Sequence, residues 1–90
     1  MFSVLVVEDD ETINKMICAK LKQESFKTFQ AFDGEEALEI MDREHIDLII
    51  CDIMMPNMDG FELCKMVKQT YETSHIPIIL LTALSERTDQ

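Results

Sequence analysis

The chain has 90 residues, 47% of them hydrophobic, and a formal net charge of −10 from 18 acidic and 8 basic residues. This size allows one small domain with a real core, and only two glycines and two prolines argue against disorder. The acidic balance argues against direct nucleic-acid binding, and no apolar run approaches the roughly 20 residues needed to span a bilayer.

The first predicted elements are a strand, β1, and a helix, α1. Ser3 to Val7 form a β-branched run of strand length, which ends in the acidic cluster 8–11. Apolar residues then recur at helical spacing over a predicted helix from about Asp10 to Glu24: Ile13, Met16, Ile17 and Leu21. Asp10 has the side chain and the position of an N-cap.

The rest of the chain repeats this alternation of strand and helix. The predicted elements are β2 (27–32), a turn at Asp33-Gly34, α2 (35–44), β3 (48–51), α3 (from 61, after Gly60, to about 70), β4 (77–81) and the start of α4 at Ser85. Strict alternation predicts a parallel sheet with right-handed crossovers. Because β3 and β4 are apolar on both faces, we expect them to be central, and the more polar β2 to be an edge.

Polar groups follow three of these strands directly, where open α/β sheets place their ligands. Glu8 and Asp9 follow β1, Asp52 follows β3 and Thr82 follows β4. If β1 and β3 are neighbours, the three carboxylates meet and repel one another unless a cation lies among them. Carboxylate oxygens around a hard divalent ion indicate Mg²⁺, and the Thr82 hydroxyl can donate to a phosphoryl oxygen at the same place. The pattern therefore predicts magnesium-assisted phosphoryl chemistry on a carboxylate.

Three motifs, in order and spacing, resemble the receiver domain of two-component response regulators: Leu5-Val-Val-Glu-Asp-Asp10, Asp52-Ile-Met-Met-Pro-Asn-Met-Asp-Gly60 and Leu81-Thr-Ala83. The resemblance implies a flavodoxin-like, doubly wound parallel sheet of strand order 2-1-3-4. It also implies a phosphorelay switch in which a histidine kinase phosphorylates Asp52. Glu8, Asp9, Asp52 and the backbone carbonyl of Met54 then hold Mg²⁺, and Thr82 is the switch hydroxyl.

The chain also departs from the receiver pattern. Receivers usually continue through the rest of α4, a fifth strand with a functional lysine, and a fifth helix, so residues 1–90 are interpreted as a partial receiver domain. An uncovered apolar edge at β4 predicts self-association, which light scattering at high concentration would test. The resemblance further implies a sensor histidine kinase as partner. It also implies an output domain, for example a DNA-binding one, or a hybrid kinase in the parent chain.

Alternative functions remain open at this stage. A receiver-like interaction module that is not phosphorylated is one. A haloacid-dehalogenase-like phosphatase is another, although it needs a second Asp two residues after the nucleophile, where this chain has Met54. A flavodoxin-like cofactor binder would want a Ser/Thr/Gly-rich phosphate loop after β1. The receiver interpretation implies a signalling phospho-acceptor that catalyses at most its own phosphorylation and dephosphorylation.

The cysteines and the N-terminus bear on the compartment. Cys18, Cys51 and Cys64 lie in periodic segments without CxxC spacing, which favours reduced core thiols. The N-terminus lacks a basic region followed by a long apolar stretch, so no signal peptide is expected. Together these features predict a cytoplasmic protein.

Overall fold

The computed structural model describes residues 1–81. Within this range four strands alternate with three helices, as the hydrophobic pattern predicts. Their bounds are β1 Ser3–Val7, α1 Glu11–Gln23, β2 Lys27–Ala31, α2 Gly34–Arg43, β3 Leu48–Asp52, α3 Gly60–Gln69 and β4 Ile78–Leu81. The predicted start of α4 at Ser85 lies outside the described residues.

The four strands form one parallel sheet of order β2-β1-β3-β4. The predicted strand order and the edge position of β2 are therefore confirmed. β1 pairs with β3 from Val4 opposite Leu48 to Val7 opposite Cys51, so the two strands end side by side. The residues that follow β1 and the last residue of β3 consequently lie at the same carboxyl edge of the sheet.

The helices cover the two faces of the sheet unequally. On one face, Val4 and Val6 of β1 pack with Cys18 of α1. On the other face α2 and α3 cover a larger core, whose fully buried members include Leu5, Ile49, Leu63 and Val67. This second core fixes the positions of β1 and β3 because Leu5 and Ile49, which are register partners, are both within it.

In the described sheet β1 and β3 are the interior strands, and β4 has β3 on one side only. This corrects the expectation that an all-apolar β4 would be central. Ile79 of β4 is 48% exposed, because no described element covers its face of the sheet there. Among residues 1–81, the order 2-1-3-4 places β4 at an edge, as the predicted strand order does.

Side-chain caps explain where the helices begin. Asp10, Asp33 and Asp59 each accept a hydrogen bond from the backbone N–H three residues later, at 3.1, 2.8 and 2.9 Å. Asp10 is thus confirmed as an N-cap. The expectation that Asp33-Gly34 is only a turn was wrong, because Asp33 caps α2 and Gly34 is the first residue of that helix.

One apolar residue of α1 does not face the core. Met16 is 64% exposed, whereas Cys18, at i+4 from Asn14, is buried. The buried face of α1 therefore runs through Asn14, Cys18 and Leu21 rather than through Met16, and it includes a polar side chain. No helix among residues 1–81 is long and apolar enough to cross a membrane.

Candidate functional site

Three carboxylates meet at the carboxyl edge of the sheet, where β1 and β3 end. Glu8, Asp9 and Asp52 each place an oxygen within 4.8 Å of the others. Glu8 and Asp52 are only 2% and 4% exposed, whereas Asp9 is exposed. Residues 44 positions apart in the sequence are thus brought together by the β1–β3 pairing, as predicted, and the cluster opens to solvent on the Asp9 side.

Glu8 is held by hydrogen bonds on its backbone and on one side-chain oxygen. Its N–H donates to the carbonyl of Ala31 at 3.0 Å, and its Oε2 accepts from the N–H of Asp10 at 2.8 Å. No donor among residues 1–81 reaches Oε1, although this atom is buried. The side chain is therefore fixed with one oxygen available to another group.

The electrostatics of the cluster oppose its full ionisation. Burial first, and then the negative charges of Asp52 and Asp9, raise the pKa of Glu8 to about 7 from an ordinary 4.5, against the lowering effect of the Asp10 N–H. Burial, with the charges of Asp52 and Glu8, likewise raises the pKa of the Cys51 thiol to about 12. Cys51 is therefore a neutral core thiol, as predicted, and its Sγ donates to the Asp52 carbonyl at 3.2 Å.

A tight loop from 53 to 59 joins Asp52 to α3. The Gly60 N–H donates to the Ile53 carbonyl at 2.9 Å, so the two ends of the loop touch. A Cβ added at Gly60 would lie 2.7 Å from the Asp52 carbonyl oxygen and 2.8 Å from the Ile53 Cα, so only glycine fits there without a shift.

Within this loop, Asn57 adopts a left-handed conformation with φ 68°, which asparagine tolerates well. At the far end Asp59 and Glu62 form a reciprocal capping box.

Two predicted site residues are placed less fully than the carboxylates. Met54 lies in this loop two residues after Asp52, and its side chain is 64% exposed. Thr82 lies outside the described residues.

The carboxylate cluster fits a hard divalent cation. Three carboxylates offer oxygen ligands within one small volume, and the buried Glu8 Oε1 has no donor from the described residues. A cation would relieve the repulsion that raises the pKa of Glu8. One or two carboxylates with retained waters are the usual protein ligands of Mg²⁺. These residues therefore fit the ion that the sequence predicts.

The sequence pattern did not identify Asn14, a fully buried polar residue beside this site. Its Nδ2 donates to the carbonyls of Glu8 and Ala31 at 3.1 and 3.0 Å. A signal was available, because Asn14 shares the helical spacing of Cys18 and Leu21. A polar residue on an otherwise apolar helix face must find partners when it is buried.

A parallel sheet of order 2-1-3-4, with buried carboxylates at the ends of its two interior strands, defines a flavodoxin-like domain of the receiver type. The family profile described as "Response regulator receiver domain" matches residues 4–90. The chain belongs to this family, whose members are signalling domains.

Individual proteins of known name agree with this assignment. The chain is 42% identical over 87 residues to the response regulator PleD of Caulobacter vibrioides, covering 97% of the chain and 19% of that protein. It is 39% identical over 90 residues to the heme response regulator HssR of Staphylococcus epidermidis, covering 100% of the chain and 39% of that protein. The chain thus spans well under half the length of these curated relatives.

Solved structures give the same result for the fold. The N-terminal domain of a response regulator receiver protein from Methanoculleus marisnigri superposes with a TM-score of 0.89 at 36% identity, covering 92% of this chain and 68% of that one. Receiver domains bind Mg²⁺ in an acidic pocket and interact with histidine kinases and output domains. Glu8, Asp9 and Asp52 form an acidic cluster of this kind.

Proposed function

We propose that this chain is a phospho-accepting module of a two-component phosphorelay, with Asp52 as the acceptor. The observation that carries the proposal is the meeting of Glu8, Asp9 and Asp52 within 4.8 Å at the ends of neighbouring strands. A carboxylate buried beside two others gains nothing for the stability of the fold, which favours a functional reason for the arrangement. Membership of the receiver family supports the same role and favours it over the phosphatase alternative.

The proposed chemistry is transfer of a phosphoryl group to the Asp52 carboxylate. An oxygen of Asp52 forms a bond to phosphorus while the bond from phosphorus to the donor breaks. That donor atom is a histidine nitrogen in the kinase, or an oxygen in a small acyl phosphate, and it keeps the bonding electron pair. The product is an acyl phosphate on Asp52, so this step requires the ionised, nucleophilic form of the carboxylate.

Glu8, Asp9, Asp52 and the Met54 carbonyl are the proposed ligands of Mg²⁺. A bound Mg²⁺ supplies positive charge that offsets the charge of the transferred phosphoryl group and of the carboxylates around it. Asp9, the exposed member, is the proposed direct ligand, and Glu8 is proposed to act through water. Thr82 is the proposed switch hydroxyl that responds to the phosphorylated state.

The remaining assignments follow from the proposed switch. The phosphoryl donor is a sensor histidine kinase, and the partner that responds is an output domain, for example a DNA-binding one, or a hybrid kinase in the parent chain. The added phosphoryl charge favours one of two conformations of a surface that the partner recognises. A cytoplasmic location, the absence of direct nucleic-acid binding and self-association through β4 stay predictions.

Intact-mass measurement after incubation with acetyl phosphate and Mg²⁺ tests the proposal. We expect one phosphoryl adduct on the wild-type chain that requires Mg²⁺ and is removed by hydroxylamine, as an acyl phosphate is. Asp52→Asn should give no adduct. Asp59→Asn is the matched control, because it makes the same chemical change in the adjoining loop and asparagine still caps α3.

Two results would contradict the proposal. An equal adduct on Asp52→Asn would mean that another residue accepts the phosphoryl group. A wild-type chain that is folded and binds Mg²⁺ but forms no adduct would favour the interaction module that is not phosphorylated.

A further inference from the structure

Asn14 is a buried side chain near the carboxylate cluster that makes several hydrogen bonds. It is fully buried in the first turns of α1. Its Nδ2 lies 3.1 Å from the Glu8 carbonyl, 3.0 Å from the Ala31 carbonyl and 3.4 Å from the Val6 carbonyl. One amide group therefore joins the ends of β1 and β2 to the start of α1.

The carbonyl end of the same amide is also used. Asn14 Oδ1 accepts from Gln30 Nε2 at 3.0 Å and from Cys18 Sγ at 3.5 Å. A flipped amide would place an NH₂ group against the Gln30 donor and an oxygen against three carbonyls, so its orientation is fixed by its partners. A buried polar network that is satisfied in this way is rigid and specifies one arrangement.

This network acts directly on Glu8. The Glu8 carbonyl is held by Asn14, its N–H by Ala31 and its Oε2 by the N–H of Asp10. Ala31 in turn accepts from both Glu8 and Asn14, which ties the end of β2 to the same point. The backbone at Glu8 therefore cannot rotate without breaking the hydrogen bonds of a residue outside the carboxylate cluster.

We propose that Asn14 is a positioning residue of the metal site, which holds the Glu8 backbone so that the Glu8 carboxylate faces Asp9 and Asp52. This inference rests on the proposed function, because it assigns Asn14 a role toward the same Mg²⁺ ion. Groups that orient metal ligands through hydrogen bonds typically contribute 10- to 100-fold to metal affinity.

Asn14→Leu is the direct test, since leucine has the same branched heavy-atom skeleton and no hydrogen-bonding groups. Isothermal titration with Mg²⁺ alone should give a dissociation constant about 10- to 100-fold weaker than wild type. Ile76→Ala is the control for a general loss of stability, because Ile76 is a buried core residue just before β4, at the opposite edge of the sheet. The folded Ile76→Ala variant should bind Mg²⁺ with a dissociation constant within about twofold of the wild-type value.

A second readout needs no metal. Amide hydrogen exchange of metal-free Asn14→Leu should be faster at Glu8 and Asp10, whose N–H groups bond to Ala31 and to Glu8 itself. Exchange at Val67 in α3 should change only as much as overall stability does. Faster exchange confined to the β1–α1 junction is what a positioning role predicts and what a uniform loss of stability does not produce.

Gln30→Met provides a milder variant should Asn14→Leu fail to fold. It removes only the Gln30 donor to Asn14 Oδ1 and should weaken Mg²⁺ binding by about two- to fivefold. Unchanged Mg²⁺ affinity in folded Asn14→Leu, or in Gln30→Met if the first variant is unfolded, overturns the inference and leaves the proposed function standing. Absence of Mg²⁺ binding by the wild type overturns the metal site itself and this role of Asn14 with it.

Discussion

Replacing Glu8 by glutamine removes a buried carboxylate whose charge opposes folding at neutral pH. Glutamine has nearly the same shape, and its Oε1 can still accept the hydrogen bond that Glu8 Oε2 accepts from the Asp10 N–H at 2.8 Å. Its NH₂ group adds a donor beside Asp9 and Asp52, where the wild type has a third acidic group. We therefore expect Glu8→Gln to change how stability depends on pH.

The size and sign of the effect follow from the raised pKa of Glu8. Below pH 4.5 this carboxyl is protonated in both the folded and the unfolded chain. Between 4.5 and about 7 the unfolded chain has lost the proton and the folded chain retains it, so the free energy of unfolding falls as pH rises. About 2.5 pH units at about 1.4 kcal/mol each give about 3–4 kcal/mol. Water reaching the exposed Asp9 side lowers this to about 2–3 kcal/mol.

Urea unfolding followed by circular dichroism, in the presence of a chelator, measures this loss. The wild type should lose about 2–3 kcal/mol between about pH 5 and pH 7.5, and Glu8→Gln should lose much less. Glu39→Gln, which removes a carboxylate from an exposed position of α2, should retain the wild-type fall. Added Mg²⁺ should restore stability to the wild type at about pH 7.5. If the free energy of unfolding depended on pH equally in the wild type and in Glu8→Gln, the reasoning would be refuted.

Two further predictions concern the loop after β3. Gly60→Ala should destabilise the fold by about 1–3 kcal/mol, because the added Cβ meets the backbone of Asp52 and Ile53 at 2.7–2.8 Å; an unchanged urea midpoint would show that the loop yields instead. Asp59→Ala should cost about 1 kcal/mol by removing the N-cap of α3, whereas Asp59→Asn should remain near wild type. Equal urea midpoints for the alanine and asparagine variants would contradict the capping role.

The order and type of the elements could be predicted from the sequence because each segment shows one hydrophobic period clearly. Residues 4–7 and 48–51 are continuous apolar runs, and they lie in the interior strands β1 and β3. The edge position of β4 followed from the predicted order 2-1-3-4 and could not be predicted from its hydrophobic period. An apolar run reports that a strand can be buried on both faces, and it carries no information on which neighbours are present to bury it.

The meeting of the three carboxylates was predictable because it depends only on strand order and on where the strands end. The hydrogen-bond partners of Asn14 were not, because its helical spacing can place it on the buried face but its partners come from β1 and β2 through the fold. The inclusion of Met16 in the apolar face of α1 was wrong for a related reason. Its spacing fits that face, but the sheet lies nearer to Cys18. The spacing of apolar residues does not determine how a helix is rotated about its axis, and so it does not decide which of its neighbouring residues face the sheet.

The closed ends of loop 53–59 have a consequence for how such domains can differ from one another. Since the Gly60 N–H bonds to the Ile53 carbonyl, β3 and α3 are joined at their junction whatever chain lies between them. Lengthening a loop whose ends already meet costs little closure entropy. Insertions or exchanged side chains at the exposed Pro56 and Asn57 would therefore alter the surface beside Asp52 and leave the carboxylate in place. The exposed surface of this loop is where a domain of this fold can come to discriminate between partners while its carboxylate cluster stays the same.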